Sequence, residues 1–77
     1  MTEVEWLDTF AGNLVSLMQE RGYSQGDLAE ESGLDESSIS RYINGRRLPN
    51  IRAIINIAYA LDCDVNELID FGDRIKG

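Results

Sequence analysis

The sequence predicts an all-α fold of five short helices arranged around the fourth. Three observations lead there. Apolar residues recur at intervals of three and four along most of the chain. Chain breakers fall at regular points: Gly22, Gly33, Gly45 followed by Pro49, and Asp62. No run alternates apolar and polar residues for long enough to make a strand. With 77 residues, the chain is expected to be one small domain over 1–77, with its core at about 5–70 and a fraying tail over 71–77.

The first segment runs from about Glu5 to Arg21, with Leu7, Phe10, Ala11, Leu14, Leu17 and Met18 as its apolar stripe. Gly22 suits the left-handed position that ends a helix. Ser24 opens the second segment as an N-cap, with Asp27 three residues on. Leu28 and Ala29 are its buried contacts, and it stops near Ser32-Gly33 after barely two turns. Asp35 caps the third segment, which reaches Asn44 before Gly45 stops it. Asn50 caps the fourth. Its apolar residues Ile51, Ile54, Ile55, Ile57, Ala58 and Leu61 cover a wide arc, so it is expected to be buried on most of its circumference. Asp64 and Glu67 form a capping box for the fifth, which leads into Leu68-Ile69. Trp6, Phe10 and Tyr59 are read as core or edge packing. Phe71 and Ile75, with the fifth helix, are a candidate dimer surface.

Composition excludes several chemistries. Apolar residues at 43% and charged residues at 27% are ordinary globular usage, so disorder is not expected. A core of this size seldom supplies more than about 3–5 kcal/mol, so tight helical packing or a partner subunit should help. There is no histidine, hence no imidazole ligand or base. Cys63 stands alone and can make neither an internal disulfide nor a Cys-x-x-Cys zinc site; it reads as a small buried hydrophobe. No clustered acid–base pair, nucleophile–base pair or glycine-rich phosphate loop is present. No enzyme, cofactor, metal site or small-molecule ligand is therefore expected. The acidic start, Met1 to Asp8, lacks the basic region of a signal peptide. The longest near-apolar run, Ala53 to Leu61, is broken by Asn56 and falls far short of the ~20 residues that span a bilayer. The expectation is a cytoplasmic protein with no membrane role.

The second and third segments carry the functional signal. Two short helices joined by a three-residue turn, Gly33-Leu34-Asp35, form the pattern of a helix-turn-helix. An ordinary corner between two helices would look the same on spacing alone. The third segment separates the two readings. Ile39, Tyr42 and Ile43 share the core side, while Ser37, Ser40, Arg41 and Asn44 share one outward face. A solvated face usually carries Glu and Lys, the long helix formers. Serine is a mediocre helix former, but small hydroxyls permit close approach and can bond phosphates or base edges. Ser38, three residues beyond the Asp35 cap, has a structural job available instead.

The net charge of −7 has the wrong sign for a generic polyanion binder. It is unevenly spread. Residues 1–36 hold nine acids and one base, and residues 62–77 hold five acids and two bases. Residues 37–61 hold no acid and four arginines, Arg41, Arg46, Arg47 and Arg52. Phosphates are neutralised locally, so this island permits DNA binding by an acidic protein.

These residues resemble the lambda-repressor-like (Cro/Xre) helix-turn-helix family. The resemblance lies in Ser24-Gln25 with Leu28-Ala29, in Ser32-Gly33-Leu34, and in the run from Ser38 through Asn44-Gly45-Arg46-Arg47 to Pro49. It continues in Ile57-Ala58 with Ala60-Leu61 and in Asn66-Glu67-Leu68, covering roughly residues 7–70. It implies a compact five-helix domain that binds double-stranded operator DNA and regulates transcription, commonly as a dimer. It implies base-facing roles for Glu36, Ser37 and Arg41, with Ser40 on the same face. It implies phosphate contacts by Gln25, Asn44 and Arg46, to which Arg47 is added. Leu28, Ala29, Leu34, Ile39, Ile43 and Ile54 match core positions. The chain departs from the family at Asp35 and Glu36, where Ser, Thr or Gln is common. A glutamate accepts from cytosine N4 but repels nearby phosphates. It departs also at Asp62, where glycine commonly ends the fourth helix, and at Cys63, usually valine.

The expected function is a sequence-specific transcriptional regulator, a repressor, reading the major groove with helix three over about residues 36–44. Arg41 would read guanine O6/N7. Whether two copies pair on a palindromic operator is left open. Two alternatives remain. One is an antitoxin-like autorepressor whose acidic surface holds a basic toxin. The other is a protein-interaction module of the same fold that has lost DNA binding.

Overall fold

The computed structural model describes residues 2–69. They form α1 (Glu3–Arg21), α2 (Gln25–Ser32), α3 (Glu36–Ile43), α4 (Ile51–Leu61) and α5 (Val65–Leu68), with no strand among the described residues. The expected all-α, five-helix order is present. The readings of Phe71, Ile75 and the 71–77 tail lie outside the described residues.

Each helix starts where a side chain satisfies the first free amides. Thr2 caps α1, accepting from the Glu5 amide at 3.2 Å, which starts that helix two residues earlier than expected. Ser24 and Asp27 cap α2 reciprocally, at 3.1 Å and 3.0 Å. These bonds to Ser24 hold the Asp27 carboxyl below its usual range. Asn50 Oδ1 accepts from the Ala53 amide at 2.8 Å to start α4, and Glu67 takes the Asp64 amide at 2.9 Å to start α5.

The helix ends are equally defined. α1, α3 and α4 each close with a left-handed residue and paired backbone bonds of the Schellman type. At α3, the Gly45 amide returns to the Tyr42 carbonyl and the Arg46 amide to the Arg41 carbonyl. At α4 the left-handed residue is Asp62, φ 52, the one non-glycine with positive φ among the described residues. Arg21 braces that end from α1, its Nε donating to the Leu61 carbonyl at 2.7 Å. Asn13 Nδ2 donates to the Leu68 carbonyl at 2.9 Å and ties α5 to α1.

Phe10 lies at the centre of the core, fully buried, stacked on Trp6 and edge-on to Tyr42, each at a centroid distance of 6.1 Å. α2 packs on α3 and α4, α1 on α3, and α5 spans α1 and α4. Leu28, Ile39, Ile57 and Leu61 fill the space between them. Ala29, Leu34 and Ile43 are partly buried against this cluster, as is Cys63. Burial and the nearby Glu67 carboxylate push the Cys63 thiol upward, which keeps it protonated.

Two expectations fail at α4. Its apolar arc is not buried on most of its circumference: Ala53, Ile54, Ile57, Ala58 and Leu61 are buried, but Ile51 and Ile55 are exposed. Tyr59, read as packing, is also exposed. The physical reason is rotation. Successive helical residues turn by about 100°, so positions 51, 55 and 59 form a stripe of their own, facing away from the core.

Candidate nucleic-acid interface

The interface is built on α3, an eight-residue helix held between two stops. Asp35 begins it. One Asp35 carboxylate oxygen accepts from the Ser38 amide at 3.0 Å and from the Ser37 hydroxyl; the other accepts from the Ser38 hydroxyl at 2.9 Å. The Ser37 bond foremost, then those of Ser38, pull the Asp35 carboxyl down to about 2. Asp35 is therefore the anchor of the helix start, and its charge is engaged by three donors. Ser38 is buried in that role.

Along α3 the two faces separate as expected. Ile39 and Tyr42 are buried and Ile43 is partly buried, while Ser37, Arg41 and Asn44 are exposed and Ser40 is half-buried on the same side. At the far end the Asn44 amide donates to the Ser40 carbonyl at 2.8 Å and lies 3.4 Å from Ser40 Oγ. The side chain of Asn44 thus closes the last turn of its own helix.

Gln25 and Glu36 sit on the α2 side of this face. A methyl group placed on Gly26 would lie 3.6 Å from Glu36 Oε1, so the glutamate leans over the first turn of α2. That turn carries free amides and the positive end of the helix dipole, which favour an anion. Arg46 and Arg47 follow α3 and are exposed. Arg47 lines a polar cleft of about 310 Å³ between the flank of α3 and the start of α4, together with Ser38, Asn50, Arg52 and Asn56. Arg41, Arg46, Arg47 and Arg52 form no ion pair with any acid among the described residues; the recorded bridge is Arg21 to Glu20 at 3.6 Å.

Of the eight candidate residues, Glu36, Ser37, Ser40 and Arg41 lie on α3, Asn44 caps it, Arg46 and Arg47 follow it, and Gln25 opens α2. Two features escaped sequence reasoning. Ser37 gives its proton to Asp35 and turns lone pairs outward, so it meets a partner chiefly as an acceptor. The signal was a hydroxyl two residues past an Asp cap. Arg52 was counted in the basic island but given no place; its proximity to Arg47 across the cleft needs the fold. Among the described residues no cluster of metal-ligating side chains occurs, and no helix is long and apolar enough to cross a membrane.

An α2–α3 pair with a polar, arginine-bearing outer face defines a DNA-binding helix-turn-helix protein. The chain matches the helix-turn-helix family HTH_3 over residues 14–68 and belongs to it. Among solved structures it is similar to the restriction-modification controller protein C.AhdI from Aeromonas hydrophila, at 37% identity and a TM-score of 0.78 over 80% of this chain and 94% of that one. It is similar to the hypothetical transcription factor NHTF from Neisseria, at 26% identity and a TM-score of 0.84 over 99% and 88%. It shares the fold of an HTH_3 family transcriptional regulator from Vibrio cholerae, at 24% identity and a TM-score of 0.84, covering 87% of this chain and 38% of that one. No curated protein sequence matches the chain significantly. The protein is a DNA-binding helix-turn-helix protein of the transcription-regulator kind.

Proposed function

We propose that the protein is a sequence-specific transcriptional repressor in which α3 reads one operator half-site from the major groove. The observation that carries this reading is the outer face of α3, where Ser37, Arg41 and Asn44 are exposed and Arg41 forms no ion pair among the described residues. Arg41 takes guanine O6 and N7; Glu36, Ser37 and Ser40 refine the choice. Gln25, Asn44, Arg46 and Arg47 hold phosphates on either side. Similarity to a restriction-modification controller supports a regulatory role. Two copies bind together, with half-sites about 34 Å apart, one turn of the duplex.

The test is selection of bound duplexes from a random pool, followed by sequencing. Enrichment of a short motif with a guanine at one fixed place is expected, repeated in inverted orientation. A pool that returns without sequence preference overturns the reading.

A further inference from the structure

The end of α3 holds the one Asn-Gly step in the chain, Asn44-Gly45; the other asparagines precede Leu14, Ile51, Ile57 and Glu67. The pair stands there for a structural reason. Gly45 adopts φ 65, the left-handed turn that stops α3. A methyl group on it would lie 3.6 Å from Asp8 Oδ1, an ordinary contact, so the backbone conformation calls for glycine and the space does not. The same glycine has a chemical consequence. With no side chain of its own, it leaves its amide nitrogen unshielded, and the carboxamide of the preceding asparagine can close a five-membered ring on that nitrogen.

In the folded chain the α3 cap holds the two groups apart. Asn44 has ψ 5, which turns the Gly45 nitrogen away from the Asn44 Cβ. The Gly45 N–H donates to the Tyr42 carbonyl at 3.2 Å, and Asn44 Nδ2 donates to the Ser40 carbonyl at 2.8 Å. The Arg46 amide closes the cap on the Arg41 carbonyl at 2.9 Å. Ring closure needs these bonds released and the Asn44 Cα–C bond rotated until the nitrogen eclipses Cβ. Asn44 is exposed, and helix ends open at far lower cost than the whole fold.

We propose that Asn44 is a modification site: each opening of the α3 cap exposes it to intramolecular deamidation, which places a carboxylate on the arginine-bearing face. The Gly45 nitrogen, losing its proton, bonds to Asn44 Cγ. The Cγ–Nδ2 bond breaks, and Nδ2 leaves as ammonia with that proton. Water then opens the succinimide at either carbonyl, its hydroxyl going to the carbon and its other proton to the ring nitrogen. The product is aspartate or isoaspartate at position 44, with no oxidant or reductant involved. Residues 37–61 hold no acid until this one forms. A carboxylate cannot donate to the Ser40 carbonyl, and it lies at the negative end of the α3 dipole. The effect on DNA rests on the phosphate role given to Asn44 above: a donor to the backbone becomes an anion against it. The conversion is irreversible, so it retires the molecule from its operator.

The measurement is tryptic mass spectrometry of the aged full chain, in which cleavage after Arg41 and Arg46 isolates residues 42–46. In guanidinium chloride, Asn44 should convert at least about tenfold faster than Asn66, which Glu67 follows, and Gly45→Ala should remove that advantage. In the native chain the rate at Asn44 should fall by the factor, to within about threefold, by which the fold slows hydrogen exchange of the Gly45 and Arg46 amides. Converted chain, separated by its extra negative charge, and Asn44→Asp should each melt cooperatively yet bind the selected duplex at least about tenfold more weakly than wild type. An unfolded chain that converts no faster at Asn44 than at Asn66 overturns the proposal. So does a native chain that converts as fast as the unfolded one, or one that does not convert while those two amides exchange. Converted chain that binds the duplex like wild type overturns it as well. A wild type that selects no duplex removes the repressor reading, while mass and exchange alone decide the modification site.

Discussion

Arg41 and Arg46 are both exposed arginines, yet their places predict different losses. Arg41 projects from the last turn of α3 itself, where a guanidinium can make two parallel bonds to one guanine. Arg46 lies beyond the end of that helix, where the reachable partner is the backbone. Arg41→Ala should cost about 1–3 kcal/mol on the preferred site and relax one base position, whereas Arg46→Ala should weaken all sequences alike and reduce the salt slope by about one. Binding titrations on the selected site and on scrambled duplex at several salt concentrations check both. Equal behaviour of the two variants on every duplex would end the division of roles. The outward set on α3 was legible because its spacing alone fixes it. The engagement of Ser37 by Asp35 was not. It depends on two side-chain rotamers that a residue string does not specify. The worry that two acids would spoil the face is half answered by that contact: the Asp35 charge is absorbed at the helix start, while Glu36 remains free to act on cytosine or against phosphate.

The helices predict how the fold responds to acid and to strain. Asp35 titrates at about 2 in the folded protein and near 3.8 when free, so it binds its proton less readily when folded. A lowered carboxyl contributes stability above the unfolded value, and that contribution is lost as pH falls from about 4 to about 2. Thermal melts across that window should show the start of α3 loosening, and Asp35→Asn should flatten the dependence there. Asp62 makes the opposite kind of prediction. Glycine in its left-handed position removes backbone strain, so Asp62→Gly should raise stability by about 1 kcal/mol, a rise in melting temperature of about 4–8 °C at a dilution where only monomer is present. The helix starts were readable in the sequence because Ser24, Asp35, Asn50 and Asp64 cap by local chemistry. The burial of α4 was misread for an equally local reason. Six apolar residues were taken as one arc, although 51 and 55 turn away from 54, 57, 58 and 61. Tyr59, two turns beyond Ile51, belonged to the same outward stripe.

At the scale of the molecule, everything is hung on a small core. Phe10 meets the ring of Tyr42 edge-on, so the longest helix braces α3 through a packed seam that this aromatic pair anchors. Phe10→Ala should remove about 3–5 kcal/mol, comparable with all that such a core supplies, and loss of the near-ultraviolet circular dichroism signal at 25 °C would register it. A cooperative native melt for that variant would mean the core is redundant. The five-helix arrangement was legible because punctuation and periodicity agree along the chain. The cleft between Arg47 and Arg52 was not, since it joins residues on two elements that only packing brings together. The brevity of α3 has its own arithmetic. Eight residues rise about 12 Å, the length of some three or four base pairs, and a word of that length recurs by chance about every 64 to 256 steps. In a chromosome such words are everywhere, and a lone molecule would be spread thinly among them. Vocabulary of that size becomes an address only when two readers must agree on the spacing between their words.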